Sequence, residues 1–171
     1  MFTHLLVPTD GSALSEAAIQ MAVTLAKEND AKVTGLHVIP EFHVFAYGAE
    51  MLADTKEQFI QVNRQRADDF LAAVTTAAAQ VGVECETVAT TYAHPYEVII
   101  STAVQRNCDL IVMASHGRSG ARAMLIGSET QKVLTHSAIP VPVVRQAAQT
   151  GVGREAEYSA PSTEVGSKVS A

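Results

Sequence analysis

The chain has no tryptophan, two cysteines and few aromatic residues of any kind, 5% in all. Its core must therefore be built from alanine, valine, isoleucine and leucine, in keeping with a hydrophobic content of 47%. Cys85 and Cys108 stand in no metal-ligand spacing such as C-x-x-C, which excludes the usual zinc arrangements. Cys108 leads into an apolar run and reads as a small buried residue. Cys85 falls in an expected strand, and spacing alone does not decide whether the two are bridged. Positive charge is also scarce: 12 Lys and Arg face 18 Asp and Glu, for a formal net charge of −6. That sign opposes non-specific nucleic-acid binding, which needs a basic face. No apolar run approaches the roughly 18 residues of a membrane span. Met1-Phe2-Thr3-His4 lacks the basic segment of a secretory leader, and Leu5-Leu6-Val7 is too short for its apolar part. The expectation is a soluble, cytoplasmic protein with neither nucleic-acid nor membrane partners.

Several signatures of nucleotide chemistry and catalysis are missing too. There is no G-x-x-x-x-G-K-S/T, no G-x-G-x-x-G behind the first apolar run and no G-x-S-x-G. Triphosphate hydrolysis in the P-loop manner, a dinucleotide site and a serine nucleophile elbow are thereby disfavoured. His4, His37, His43, His94 and His136 are scattered, which argues against shared metal ligation. His116 has no acidic partner or nucleophile at recognisable spacing, so no catalytic residue is assigned.

What is present is a rhythm. At 171 residues the chain suits one domain whose core needs no staples. β-rich runs at 4–8, 32–39, 83–91, 109–114 and 141–145 alternate with helical patterns at 12–29, 54–81, 95–107 and 128–135. The first, fourth and fifth runs are apolar nearly throughout, as parallel strands covered on both faces should be. This alternation predicts an α/β fold, a five-stranded parallel sheet doubly wound with four helices. Ser12 is placed to cap the first helix, with an inward stripe of Ala18, Met21, Ala22, Leu25 and Ala26. In the second, Asp54 and Glu57 resemble a capping box, and Phe59, Val62, Phe70, Val74 and Val81 share a face. Gly82 is its expected left-handed stop, and Pro95 opens the third helix. The connection 40–53 is long enough for a lid or subunit contact, or is simply a surface loop. Residues 1–145 read as the domain. Residues 146–171, rich in Gly, Ser, Ala, Glu and Thr, read as a disordered tail.

Two strand ends carry unusual residues. The first ends in Pro8-Thr9-Asp10-Gly11-Ser12, the fourth in Ala114-Ser115-His116-Gly117, followed after nine residues by Gly127-Ser128. Ligands of open parallel sheets bind beyond the carboxyl ends of strands where the order reverses. With the first strand central, both ends fall at that reversal. A glycine-bearing loop running into a helix start suits an anion, because backbone N–H groups and the helix dipole face it. Asp10 suits a base, a ribose or a metal ion, or is a plain turn residue. Gly117 and Gly120 open the loop to a phosphate, or are turn glycines. Ser128 caps the fourth helix, donates to a phosphate oxygen, or does both. Arg118 and Arg122 offer cationic charge, or are ordinary exposed arginines.

Taken together these motifs, with His37-Val38 closing the second strand and Ile139-Pro140-Val141 near the fifth, resemble the universal stress protein family over about residues 1–145. The nucleotide-binding branch of that family carries G-x-x-G, nine residues, then G-S/T. Here Gly117, Gly127 and Ser128 match, while Ala114 replaces the first glycine. The resemblance implies a Rossmann-like sheet of order 3-2-1-4-5 and an ATP site, with or without magnesium or manganese. Adenine is then expected at Pro8, Thr9, Asp10 and Val38. Ribose and phosphates map to Ala114, Ser115, His116, Gly117, Arg118, Ser119 and Gly120, and to Ser128, Glu129 and Thr130 behind Gly127. It also implies a homodimer paired through the fifth strand. Glu129, where the family has a small or aliphatic residue, brings a carboxylate near the phosphates. Pro142 removes one ladder donor from the dimer strand. The leading reading is a nucleotide-dependent sensor or switch of the stress response. The alternatives are a slow ATPase or autophosphorylating enzyme, and a dimeric interaction scaffold without nucleotide.

Overall fold

The computed structural model describes residues 1–41, 49–117 and 126–145, with 49–55 described by backbone alone. In order, the elements are β1 (His4–Pro8), α1 (Ala13–Asn29), β2 (Lys32–Ile39), α2 (Ala49–Val81), β3 (Cys85–Thr91), α3 (Pro95–Gln105), β4 (Leu110–Ile111), β5 (Met113–Ala114), α4 (Ser128–His136) and β6 (Val143–Val144). The expected tail 146–171 lies outside the described residues.

All pairings are parallel, in the order β3-β2-β1-β4, with β5 and β6 paired beside them. Only Val112 separates β4 from β5. Its N–H donates to the Leu6 carbonyl at 2.9 Å. The N–H groups of Ile111, Met113 and Ser115 instead donate to the carbonyls of Pro140, Pro142 and Val144, at 3.0, 3.1 and 2.8 Å. Residues 110–115 thus bond alternately to both sides, and the 3-2-1-4-5 arrangement is retained. Pro142 has a carbonyl but no N–H, so it returns no bond to this strand. That is why the fifth strand contracts from the expected 141–145 to Val143–Val144.

The sheet is covered on both faces. Leu5, Val7, Val33, Leu110 and Val112 pack with Ala18, Ile19, Ala22, Val23 and Ala26 of α1 and Val74, Ala77 and Ala78 of α2. Leu6, Leu36, Ile111 and Met113 point the other way, toward Val98, Ile99 and Ala103 of α3 and Val133 of α4. Successive strand residues therefore serve opposite cores, the period-two rule applied to a buried sheet.

Three local expectations change. In α1, Ile19 and Val23 are buried and Leu25 packs half-buried against the same core, whereas Met21 is 41% exposed, so the inward stripe runs through Ile19 and Val23 rather than Met21. In α2 the buried stripe is Ala67, Leu71, Val74, Ala77 and Ala78, while Val62 and Val81 face outward. A helix of 33 residues is about 50 Å long and an eight-residue strand about 26 Å, so the sheet cannot cover all of it. Finally, α2 starts at Ala49 rather than Asp54. The strong helix formers from Ala49 to Ala53 carry it through the proposed capping box. Ser12 does cap α1, accepting the Ser15 N–H at 3.2 Å, and Gly82 at φ 71° ends α2. Both cysteines are free.

Candidate functional site

A crevice of about 700 Å³ opens beyond the carboxyl ends of β1, β2 and β5. Its walls include Pro8, Thr9, Asp10, Val38, Ala114, His116, Gly117, Gly127, Ser128, Glu129 and Thr130. Two segments more than 100 residues apart in sequence are thereby joined, as neighbouring strands at a reversal of order require. Arg118, Ser119, Gly120 and Arg122 lie outside the described residues.

The β1 end is held tightly. Thr9 donates its N–H to the Leu36 carbonyl at 2.8 Å, and its hydroxyl lies 3.1 Å from that of Ser15. Asp10 accepts the Ser12 N–H at 3.1 Å, which makes it the turn residue its sequence context suggests. Its other carboxylate oxygen lies against the Cα of Gly117, where a Cβ would collide with it. The two strand-end loops are thus in direct contact, and Asp10 forms part of the wall between them.

The β5 end is braced from behind. Ser115 is buried and lies behind the wall. Its N–H bonds to Val144, its carbonyl accepts the Gly127 N–H at 2.7 Å, and its hydroxyl meets His116 Nδ1 at 3.1 Å. Thr130 donates its hydroxyl to the Ala114 carbonyl at 2.9 Å, tying α4 to the strand. Ala114 is absent from the residues with positive φ. An alanine at the motif's first glycine therefore carries no backbone strain.

The start of α4 is the chemical centre of the crevice. The N-cap is Gly127, not Ser128, and among the described residues no side chain caps this helix. The first bond inside it runs from the Gln131 N–H to the Gly127 carbonyl. Among the described residues, the N–H groups of Ser128, Glu129 and Thr130 meet no acceptor. With the positive end of the helix dipole they make an anion seat. By contrast, α1 has its cap supplied by Ser12. Gly127 also packs closely: a Cβ there would stand 3.2 Å from the His116 Cα. It is needed for chain packing as well as for space.

Glu129 does not crowd this seat. One carboxylate oxygen accepts the Tyr96 N–H at 2.9 Å, the other the Lys132 ammonium at 2.8 Å. The bond from Glu129 raises the Lys132 pKa. The charge is thus turned toward the start of α3 and partly neutralised.

The far wall contains residues given no ligand role by the sequence, His37 having entered only as a motif position beside Val38. Asn63, Arg66 and Phe70 of α2 line it, as do His37 of β2 and Tyr92 behind β3. The spacing of Asn63, Arg66 and Phe70 places them on one helix face, a signal present in the sequence. Which loop that face meets was not. Leu36, Val38, Ile99 and Met113 add an apolar floor. Volume, floor and anion seat together fit a small planar molecule bearing a phosphate. Among the described residues no cluster of three or more His, Cys, Asp or Glu is arranged to hold a metal ion, and no helix is long and apolar enough to cross a membrane.

The family model for the universal stress protein family matches residues 1–145. Universal stress protein YxiE of Bacillus subtilis is 36% identical over 151 residues, covering 85% of this chain and all of that protein. Among solved structures, universal stress protein UspA from Lactobacillus plantarum is similar with a TM-score of 0.69 at 28% identity, covering 84% of this chain and 97% of that one. A universal stress protein from Archaeoglobus fulgidus in complex with dAMP has a TM-score of 0.62 at 19% identity, over 84% and 98% of the two chains. A universal stress protein in complex with cAMP has 0.59 at 23%, over 84% and 97%. At these last identities the likeness is one of fold.

Proposed function

The chain belongs to the universal stress protein family, and from that premise we propose that its crevice binds an adenine nucleotide, with ATP as the physiological ligand. The observation carrying this reading is the uncapped start of α4, whose three amides face a cavity of nucleotide size. The dAMP named for the Archaeoglobus fulgidus relative and the cAMP named for the other support it.

In this reading the amides of Ser128, Glu129 and Thr130 and the Ser128 hydroxyl hold phosphate oxygens. Asp10 and Gly117 flank the ribose, with His116 beside them, and Pro8 and Val38 enclose the base. Ala114, Ser115 and Gly127 fix the positions of these groups. Arg118, Ser119 and Gly120 extend the phosphate contacts, and a magnesium or manganese ion accompanies a triphosphate. The protein works as a sensor or switch in the cytoplasm, its nucleotide-bound form differing from the free form in the contacts it makes. It pairs as a homodimer along the β6 edge, and 146–171 forms a tail outside the domain.

Isothermal titration with ATP and AMP, with and without magnesium, tests the core of this. Binding at millimolar concentration or below is expected. Silence from every nucleotide at millimolar concentration overturns it.

A further inference from the structure

The wall of the crevice opposite α4 holds a histidine with one committed and one uncommitted nitrogen. His37 is only 9% exposed. Its Nδ1 lies 2.7 Å from the Thr9 carbonyl oxygen, and its ring meets Phe70 edge-on at 5.2 Å. A carbonyl oxygen can only accept, so Nδ1 carries the hydrogen. In the neutral ring Nε2 is then a bare acceptor. Among the described residues Nε2 has no hydrogen-bond partner, and no fully buried side-chain nitrogen or oxygen is left without one. Nε2 therefore retains an accessible surface, and the cavity is the space that His37 lines.

From this geometry we infer that His37 selects the base, its Nε2 accepting a hydrogen bond from an exocyclic amino group, the 6-amino group in adenine. The inference rests on the nucleotide reading of the same crevice and adds the residue that would make it selective. The Thr9 bond holds the ring in one tautomer, and the Thr9 amide is itself bonded to Leu36. The acceptor is thus fixed by the same strand-end loop that walls the site. A ligand without a donor at that place leaves Nε2 facing it unpaired, which costs affinity.

The test compares AMP with purine riboside 5′-monophosphate, which differs only in lacking the amino group. Both ligands are titrated at the same pH, 8. AMP is expected to bind about tenfold or more tightly, as loss of one well-placed bond in a part-dry site predicts. In His37→Asn the amide nitrogen stands where Nδ1 stood and still serves Thr9, while the Nε2 acceptor is gone. The preference should fall to about twofold or less, through weaker AMP binding and an unchanged analogue. His37→Gln, which restores an acceptor near the Nε2 position, should recover most of the preference. Equal affinity of the unsubstituted chain for AMP and the analogue overturns the inference and leaves the nucleotide reading standing. A preference that survives in folded His37→Asn also overturns it. Failure of both nucleotides to bind overturns the two together.

Discussion

Glu129 of α4 accepts the backbone N–H of Tyr96, in the first turn of α3, at 2.9 Å. A carboxylate at the start of one helix thus serves the start of its neighbour, where His94 offers no side-chain cap. Glu129→Ala should cost about 1 kcal/mol, the usual worth of a helix cap, and Glu129→Gln, which keeps an acceptor, much less. Thermal melts check the order of the three proteins. A Glu129→Ala variant melting with the unsubstituted chain would mean the bond is not made in solution.

Ser128→Pro separates the anion seat from the fold. Proline is well tolerated at the first position of a helix, and it deletes one of the three amides and the hydroxyl together. Gly127 already has φ −60° and ψ 150°, a conformation that suits a residue before proline. The melting temperature should stay nearly unchanged while nucleotide affinity falls about tenfold or more, as loss of a charge-assisted bond implies. Titration calorimetry beside a melt shows whether the two effects part.

The two motif glycines should behave differently. At Gly127 a side chain meets the His116 backbone, which cannot swing aside. Gly127→Val is therefore expected to lose about 1–3 kcal/mol of stability as well as binding. At Gly117 the obstacle is the far end of the Asp10 carboxylate, which can rotate. Gly117→Ala should fold normally and bind nucleotide more weakly, because Asp10 is displaced. Denaturant midpoints for both variants, read against their affinities, decide this.

Acid should destabilise the protein in two stages. Burial, then Lys32, lower the His4 pKa from its ordinary 6.5. Bonds from Arg106 and then Thr34 lower the Glu86 carboxyl from 4.5. Burial acts upward on Asp109, but the N–H groups of His4 and Thr3 and the Thr3 hydroxyl outweigh it and bring the carboxyl below 3.8. Each group thus binds fewer protons folded than unfolded, so stability falls as pH falls. The decline should begin below about pH 6.5 through His4 and steepen below about 4 through the carboxylates. Asp109→Asn should flatten the lower limb. Melting temperatures across pH 7 to 3 test it, and a flat profile would contradict all three assignments.

Much of the fold that shapes the crevice is legible in the sequence itself. Ser12 caps α1 because a hydroxyl three residues ahead of a free amide is a local arrangement. Apolar runs such as Leu110-Ile111-Val112-Met113 demand burial on both faces whatever surrounds them. The strand-end loops after Pro8 and Ala114 were visible as departures from that rhythm. Residue type and near-neighbour spacing sufficed for these, since their physics acts over a few residues.

Contacts between distant segments lay beyond such reasoning. Sequence placed Asp54 as a helix start and Ser128 as a cap, but helix propagation through Ala49–Ala53 and the position of Gly127 decided otherwise. Nothing near Glu129 in the chain names Tyr96 as its partner, and nothing near His37 says that Thr9 will claim one ring nitrogen and leave the other to the crevice. The chain's own chemistry determined the strands, the helices and the ends where a ligand could sit. Which atoms remain unsatisfied at those ends was decided by packing, because hydrogen-bond vacancies exist only after every neighbour has taken its place.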